Sequence, residues 1–276
     1  MDKTILITGC SSGIGLDAAR TLKARGWRVF AACRHAQDCA RLSDEGFESP
    51  RIDYTDTASI VSGLTEVLEA TGGRLDALFN NGAHGQLAAV EDLPTDALRA
   101  IFEANLFGWH ELTRHVIPVM RAQGHGRIVQ CSSGLGMAAI KWRGAYTATK
   151  FALEGLSDTM RLELRGTGVH VVLIEPGPIA TDFRINGRAH FERWIDWRAS
   201  PHSDAYRDTL IPRLYDETGK REAFELGPDA VSAKLVRALE TRRPRARYFV
   251  TTPTYAMAWA KRLLPGRWLD ALIARI

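Results

Sequence analysis

The sequence has few cysteines and no long apolar stretch. No run of apolar residues reaches the roughly 18 that a membrane-spanning helix requires, which excludes a transmembrane protein. The cysteines form no CxxC pair and have no metal-ligand spacing with the eight histidines. We therefore expect no metal site, and buried, reduced thiols in a reducing compartment. The four cysteines are Cys10, Cys33, Cys39 and Cys131.

Basic residues outnumber acidic ones by only a small margin. Thirty-six basic and 32 acidic residues give a net charge of +4, and much of the excess lies after position 241. No nucleic-acid-binding motif accompanies these residues, so the pattern favours a solvated basic surface and no nucleic-acid partner. Weak attraction to an anionic membrane remains an alternative. The chain enters an apolar segment directly after Lys3, without a signal peptide, so we expect a cytoplasmic protein.

Strand-like and helix-like segments alternate along the chain. Nearly continuous apolar segments, typical of parallel strands buried on both faces, occur at 5–8, 28–33, 75–80, 127–131, 170–175 and 248–252. Helical stretches occur at 14–25, 57–71, 94–123, 144–165 and 228–242. This alternation predicts an α/β fold: one domain over residues 1–276, with a doubly wound Rossmann-type parallel sheet flanked by helices on both faces.

Two segments depart from this alternation. Residues 182–227 lack strand patterning and are rich in aromatic side chains. A stretch this long without strands is typically functional or contains short helices of its own. Residues 253–276 form an apolar and basic tail, interrupted at Pro265-Gly266, which we interpret as amphipathic.

A glycine-rich turn follows the first strand and opens the first helix. Its sequence is Thr8-Gly9-Cys10-Ser11-Ser12-Gly13-Ile14-Gly15. Glycines let the backbone turn sharply and let a pyrophosphate approach the helix N-terminus. Tight turns also use glycine for steric reasons alone, so the position of this loop in a βαβ unit carries the interpretation. It predicts a dinucleotide site formed by Gly9, Ser11, Ser12, Gly13, Ile14 and Gly15.

The end of the second strand indicates which dinucleotide binds. NAD sites of this type place an acidic residue there for the ribose 2′-hydroxyl, whereas an arginine accommodates a 2′-phosphate. Arg34 occupies this position, and no acidic residue lies between Asp17 and Asp38. We therefore predict NADP(H) as the cofactor. Asp53, which we place after the third strand of the fold, is a candidate acceptor for the adenine amino group or only a cap.

Tyr146 and Lys150 are four residues apart on a predicted helix, so they share one face. A nearby ammonium stabilises the tyrosine anion, and oxidised nicotinamide adds to that field, so we expect the pKa of Tyr146 to fall toward the working range. Such a tyrosine can protonate a carbonyl oxygen. Ser133, which follows a strand, would hold that oxygen. A Tyr-x-x-x-Lys pair alone is common on protein surfaces. Its combination with the glycine loop favours a catalytic role.

With these motifs the sequence resembles the short-chain dehydrogenase/reductase family along essentially its whole length. The matching residues are Thr8-Gly9-x-x-x-Gly13-Ile14-Gly15, Asn80-Asn81, Asn105, Ser133, Tyr146-x-x-x-Lys150 and Pro176-Gly177. The resemblance implies that Tyr146 is the general acid/base, that Ser133 orients the carbonyl, and that Lys150 binds the nicotinamide ribose and lowers the tyrosine pKa. Asn105 would anchor a water in the proton relay, although a helical asparagine is often only a local hydrogen-bonding residue.

The resemblance also implies further contacts. Pro176, Gly177, Ile179 and Thr181 belong to a nicotinamide-binding loop, and Asn80 and Gly82 lie beside the cofactor ribose. Residues 182–227 would close over the substrate as a lid. Helices 94–123 and 144–165 would pair across a homodimer or homotetramer, although an apolar helix face serves a monomer core equally well.

One motif departs from the family pattern. Where the family has Asn-Asn-Ala-Gly, this chain has Asn80-Asn81-Gly82-Ala83. If the fourth position required a left-handed backbone, Ala83 would cost about 1 kcal/mol unless the turn shifted toward Gly85. His84 is close enough in sequence to face a substrate, or it is an inert loop residue.

The motifs predict an oxidoreductase that moves hydride between NADP(H) and a carbonyl or alcohol. The resemblance is greatest to bacterial reductases of lipophilic aldehydes and to the retinol/hydroxysteroid branch, which leaves a hydroxysteroid- or retinol-type dehydrogenase as the alternative. The aromatic residues of the lid favour a small lipophilic carbonyl substrate, although they could instead pack the lid onto the domain. From another class, a silent NADP sensor would normally lack Tyr146 or Lys150, and the tail could associate with a membrane.

Overall fold

A six-stranded parallel sheet forms the centre of the protein. The computed structural model describes residues 3–218 and 221–274; positions 1–2, 219–220 and 275–276, which belong to the predicted domain, lid and tail, lie outside them. The strands are β1 (Thr4–Thr8), β2 (Arg28–Ala32), β3 (Ala77–Asn80), β4 (Gly126–Cys131), β5 (Val169–Glu175) and β6 (Arg247–Phe249). Their order is β2-β1-β3-β4-β5-β6, with every neighbouring pair parallel. The predicted doubly wound α/β fold is confirmed.

Helices cover both faces of the sheet. They are α1 (Gly13–Ala24), α2 (Ala36–Asp44), α3 (Thr57–Ala70), α4 (Thr95–Phe102), α5 (Gly108–Gln123), α6 (Gly144–Glu163), α7 (Phe183–Trp194), α8 (Ser203–Ala205), α9 (Ile211–Leu214), α10 (Asp229–Glu240), α11 (Thr252–Leu263) and α12 (Gly266–Ile273). Helices α1, α2 and α10 share one core with Ile5 and Ile7, whereas α3 and α5 share the other with Leu6. The alternation of side chains along β1 thus supplies both cores.

Several predicted boundaries were wrong. Helix α2 was not predicted, because only Cys39 and Leu42 of its side chains are buried and the apolar pattern is weak. The predicted helix 94–123 is interrupted by a π-helical turn at Glu103–Phe107. The last strand ends at Phe249 because the backbone turns into α11 at Thr251.

The strand expected before Asp53 is also reduced. Only isolated bridges pair Phe30 with Glu48 and Cys33 with Arg51. Pro50 lies between them and has no N–H group to donate, which interrupts a regular ladder. Asp53 therefore follows an irregular edge segment.

The segment after β5 forms a small helical layer with a core of its own. Phe191 of α7, Tyr206 and Leu214 are buried against Leu87 and Ala88. In the tail, α11 buries Thr254 and Ala258, whereas none of the described residues of α12 is buried. Within residues 3–218 and 221–274, no helix combines the length and the apolar character needed to cross a membrane.

Candidate active site

Three loops meet at the carboxyl ends of the strands. Gly9 and Gly13 in the glycine-rich turn have left-handed backbones, with φ of 68° and 56°. A Cβ on Gly9 would lie 2.5 Å from the Cα of Gly82, and one on Gly13 would lie 3.0 Å from Cγ2 of Thr181. The loop after β1 therefore contacts both the turn after β3 and the segment after Pro176-Gly177.

The start of α1 suits an anionic group. Ser12 precedes the helix, and its side chain makes no capping hydrogen bond. The first N–H groups of α1 are therefore available to a phosphate at the positive end of the helix dipole. Together with the close backbone approach at Gly9 and Gly13, this arrangement fits a dinucleotide.

Three arginines gather near the end of β2. Arg34 is exposed, and its backbone oxygen accepts a hydrogen bond from Nε of Arg51 at 3.1 Å. Arg41 donates from Nη2 to the backbone oxygen of Ser11 at 2.7 Å, so it supports the glycine-rich turn directly. Sequence reasoning identified Arg34 and missed the other two, because Arg41 lies on the unpredicted α2 and Arg51 on the irregular edge.

Asp53 acts within its own turn. Its Oδ1 accepts from the backbone N–H and the hydroxyl of Thr55, at 3.0 and 2.9 Å. One oxygen of Asp53 is thereby used for turn formation. The contact to adenine stays a prediction.

The two asparagines after β3 have internal partners. Asn80 is buried, donates to Thr113 and Gln130 and accepts from the hydroxyl of Tyr54, so its side chain holds the sheet together. Asn81 donates to the backbone oxygens of Thr8 and Gly9, at 3.1 and 3.3 Å. Asn81 therefore fixes the glycine-rich turn, a role that the sequence did not reveal.

The turn from Gly82 to Gly85 does not carry the expected strain. Gly82, Ala83 and Gly85 do not have left-handed backbones. A Cβ on Gly82 would make ordinary contacts at 3.4 Å with Gly9, so the family's alanine would also fit there. The condition for a backbone penalty at Ala83 is therefore not met, because this turn uses no left-handed residue at positions 82, 83 or 85.

Lys150 is buried at the centre of the site. Its Nζ donates to the backbone oxygen of Cys131 at 2.8 Å and lies 4.3 Å from the centroid of the Trp109 ring. Burial lowers the pKa of Lys150 to about 8, against the opposing effects of Cys131 and Glu154. The ammonium lies 5.5 Å from the centroid of the Tyr146 ring, so the predicted pair does meet.

Tyr146 and Ser133 are close enough for their hydroxyls to interact. Burial raises the pKa of Tyr146 above its ordinary value; Cys131 adds to this, whereas the Ser133 hydroxyl and Arg143 oppose it. The expected fall in the tyrosine pKa was therefore wrong for the chain's own residues, because the loss of hydration exceeds the favourable contacts. The expectation also included the positive charge of oxidised nicotinamide, which would lower the pKa of Tyr146 when the cofactor is bound.

Asn105 lies in the π-helical turn between α4 and α5. It is fully buried, accepts from the backbone N–H of His84 at 3.1 Å and donates to the backbone oxygen of His84 at 2.8 Å. Insertions of this kind in helices frequently occur at functional sites. The turn after β3 and the Asn105 side chain therefore form one rigid unit.

Two aromatic contacts join α7 to the site. The rings of His84 and His190 are stacked with centroids 3.7 Å apart. Burial, His190 and Arg34 lower the pKa of His84 to about 3, so the imidazole is neutral at physiological pH. Phe183 meets Tyr146 edge-on, with centroids 5.3 Å apart. His84 is therefore partnered by His190 of α7, whereas the sequence alone left open whether it faces a substrate or is an inert loop residue.

The loop after β5 contacts both the turn after Ser133 and the segment 182–227 that was predicted to be a lid. The backbone oxygen of Pro176 accepts from Gly134 at 2.8 Å. Ile179 forms an isolated bridge with Leu226. A Cβ on Gly177 would collide with Thr251, so the loop also packs closely against the start of α11.

Comparisons with known proteins place this arrangement in a family. The family model for short chain dehydrogenases matches residues 3–191. The uncharacterized oxidoreductase YbbO of Escherichia coli is 39% identical, over 99% of this chain and 94% of that protein. Human 17-beta-hydroxysteroid dehydrogenase type 1 is 31% identical, over 90% of this chain and 77% of that protein. The crystal structure of a short-chain dehydrogenase from Streptomyces avermitilis superposes with a TM-score of 0.80 at 28% identity, covering 100% of this chain and 94% of that one. The chain belongs to the short-chain dehydrogenase/reductase family of oxidoreductases.

Proposed function

We propose that this protein is an NADP(H)-dependent reductase of lipophilic aldehydes or ketones. The observation that carries the proposal is the convergence of Tyr146, Ser133 and Lys150 at the same strand ends as the glycine-rich turn. NADPH, when bound, supplies the hydride. The chain's own residues bind, orient and protonate the substrate.

Each residue has a distinct role in the proposed reaction. Burial keeps Tyr146 protonated, which suits a proton donor to a carbonyl oxygen. Ser133 holds the same oxygen by a hydrogen bond. Lys150 binds the nicotinamide ribose, and its charge favours the tyrosine anion. Asn105 anchors a water of the proton relay and also holds the turn that carries His84. Much of the rate arises from holding both reactants in register.

The cofactor preference follows from the basic end of β2. Arg34, with Arg41 and Arg51 beside it, favours a 2′-phosphate through charge-assisted hydrogen bonds. The relative named NADPH-dependent 3-dehydrocapnine reductase from Ornithobacterium rhinotracheale, 30% identical, supports this choice. A structural relative from Burkholderia phymatum, 25% identical, was solved with NAD, and the affinities of this protein for NADPH and NADH decide between the two coenzymes. The proposed cofactor site comprises Gly9, Ser11, Ser12, Gly13, Ile14, Gly15, Arg34, Asp53, Gly82, Tyr146, Lys150, Pro176, Gly177, Ile179 and Thr181, and the buried Asn80 supports it from within the sheet.

The substrate preference rests on the lid. We propose that the chain is a single domain in which residues 182–227 cover the site. Phe183 in this segment forms an apolar wall beside Tyr146. A second candidate, a hydroxysteroid or retinol dehydrogenase, is favoured by relatives of those names, among them bovine retinol dehydrogenase 8 at 28% identity. An NADPH-consumption panel of aldehydes of increasing length, with steroid and retinoid carbonyls, separates the two. Cofactor binding without any turnover would instead favour a silent sensor.

The tail is proposed to associate weakly with anionic membranes. Helices α11 and α12 expose Trp259 (60%), Leu263 (72%) and Trp268 (69%), beside Lys261, Arg262 and Arg267. Aromatic and basic side chains in this combination suit a shallow position at a lipid interface. Co-sedimentation with anionic vesicles, compared with neutral ones, tests this. The protein would otherwise be cytoplasmic.

Helices α5 and α6 are proposed to pair with a second copy of the chain. Phe107, immediately before α5, is 49% exposed, and Phe151 and Leu162 of α6 are 40% and 64% exposed. Apolar exposure of this kind suits an interface in a homodimer or homotetramer. Light scattering at several protein concentrations measures the oligomeric state.

A further inference from the structure

Behind Lys150, a single guanidinium gathers three carboxylates. Arg247, at the start of β6, donates from Nη1 to Glu175 at 2.5 Å, and the same nitrogen donates to Glu154. Its Nη2 donates to both oxygens of Asp158, at 2.8 and 2.7 Å. The carboxylates come from α6 and β5, and the proposed chemistry uses none of them.

Two of these carboxylates are buried side by side. Glu154 is 6% exposed and Glu175 is fully buried, whereas 42% of the Asp158 side chain is exposed. One oxygen of each glutamate, Oε1 of Glu154 and Oε2 of Glu175, receives no hydrogen bond from the described part of the chain. Unpaired buried charge is costly, and a proton between two such oxygens converts repulsion into a hydrogen bond.

The carboxylates of this group outnumber its guanidinium groups by one, so one added proton would balance the charge. Glu154, Asp158 and Glu175 carry three negative charges, and Arg247 and Arg161 carry two positive ones, since Arg161 donates to Asp158 at 2.6 Å. One negative charge is therefore in excess. The next cation is the Lys150 ammonium, one helical turn before Glu154, and it is bonded to the backbone oxygen of Cys131.

The pair lies between two parts of the active site. Glu154 follows Lys150 by four residues on the same face of α6, and Glu175 immediately precedes Pro176-Gly177. We propose that Glu154 and Glu175 share one proton at neutral pH, and that this carboxyl pair positions Lys150 against the Pro176-Gly177 loop. The positioning half rests on the proposed function, whereas the shared proton does not.

Titration of the pair has a defined direction. Burial raises the pKa of Glu175 to about 8, the charge of Glu154 adds to this, and Arg247 opposes it. Between the ordinary glutamate pKa and that value, the folded chain holds a proton that the unfolded chain has lost, so stability falls as pH rises. Above it, the proton leaves for solvent and two carboxylates face each other. Lys150 contributes in the opposite direction at higher pH, because its pKa is lowered.

Thermal unfolding at pH 5.5 and 8.5 tests the shared proton. We expect the melting temperature of the wild type to fall between these pH values by roughly 5 °C more than that of Glu175→Gln, which cannot titrate. Asp96→Asn is the control, since Asp96 is an exposed carboxylate on α4 that pairs with Arg99, outside this group, and it should keep the wild-type difference. An unchanged difference in Glu175→Gln, or its loss in Asp96→Asn, would overturn the proposal.

Two further measurements keep the proposal testable if Glu175→Gln folds poorly. Infrared difference spectra of the wild type, taken across neutral to alkaline pH, should show loss of one protonated carboxyl, and Glu154→Gln should shift that transition to lower pH. Absence of the carboxyl signal overturns the shared proton. For positioning, kcat with NADPH and an aldehyde should fall more between pH 7 and 9 in the wild type than in Glu175→Gln, and an equal fall overturns that half. No turnover in either protein would count against the proposed function, and the unfolding and infrared results would still decide on the proton.

Discussion

The Phe183 ring packs edge-on against the Tyr146 ring, with centroids 5.3 Å apart. The same side chain lies over Gly85, where a Cβ would be only 3.0 Å from Cε1 of the phenylalanine. Phe183 is thus held between the turn after β3 and the proposed acid. In the proposed reaction, this contact forms one wall of the space that the carbonyl group enters.

Removal of this wall should change which substrates fit. We expect Phe183→Ala to raise kcat/KM for ketones relative to linear aldehydes by about tenfold or more, since a pocket discriminates methylene-sized groups by about 1–3 kcal/mol. Tyr215→Ala changes an exposed aromatic of the same proposed lid, is the control and should leave the ratio unchanged. Equal ratios for Phe183→Ala and the wild type would place the substrate elsewhere.

Arg34 should determine the coenzyme preference. Arg34→Ala removes a charge-assisted contact and should weaken NADPH binding by about 1.5–3 kcal/mol, roughly ten- to a hundredfold, while leaving NADH binding nearly unchanged. Arg41→Met should weaken both coenzymes, because Arg41 supports the Ser11 backbone. Titration of coenzyme fluorescence measures each affinity, and Arg99→Ala on the exposed face of α4 is the control. Equal losses of both coenzymes in Arg34→Ala would contradict the assignment.

The main features of the site were predictable because they are local in sequence. The glycine-rich turn lies between a strand and a helix, and Tyr146 and Lys150 are one helical turn apart. Asn105 was identified by resemblance, but its attachment to His84 depends on a π-helical turn that apolar periodicity does not register. In the group around Arg247, the arginine lies at least 72 residues from each of its three carboxylates, so no local pattern could indicate it.

The buried charge of Lys150 should lower the free energy of unfolding at neutral pH. Burial lowers the pKa of Lys150 to about 8, so between that value and the ordinary lysine pKa the folded chain binds fewer protons than the unfolded chain, and stability rises with pH. Lys150→Met should therefore raise the melting temperature at pH 7 by roughly 3 °C and abolish most turnover. The gain should shrink toward pH 10. A loss of stability at pH 7 would show that the bond to Cys131 outweighs the burial of charge.

Chain-length preference tests the lipophilic substrate. Each buried methylene contributes up to about 0.8 kcal/mol, so kcat/KM for linear aldehydes should rise several-fold from about four toward about ten carbons. A flat profile would leave a reductase of small polar carbonyls.

The two helices of the tail differ in how closely they pack against the rest of the protein, so their deletion should have different effects. Thr254 of α11 packs against Gly134 and Gly177, so deletion of residues 253–276 should reduce turnover with every substrate. Deletion of residues 265–276 removes only α12, which has no buried residue among those described. That shorter deletion should preserve turnover and weaken vesicle binding. Retained vesicle binding would rule out α12 as the membrane contact.

The central claim is that Tyr146 donates the proton to a carbonyl oxygen, and Tyr146→Phe tests it most directly. The substitution removes one hydroxyl and keeps the ring that contacts Phe183 and Lys150. NADPH oxidation with a saturating aldehyde should slow by at least about 10²-fold, the usual contribution of a positioned acid, while the dissociation constant for NADPH stays within about twofold of the wild type. Turnover close to that of the wild type would contradict the account.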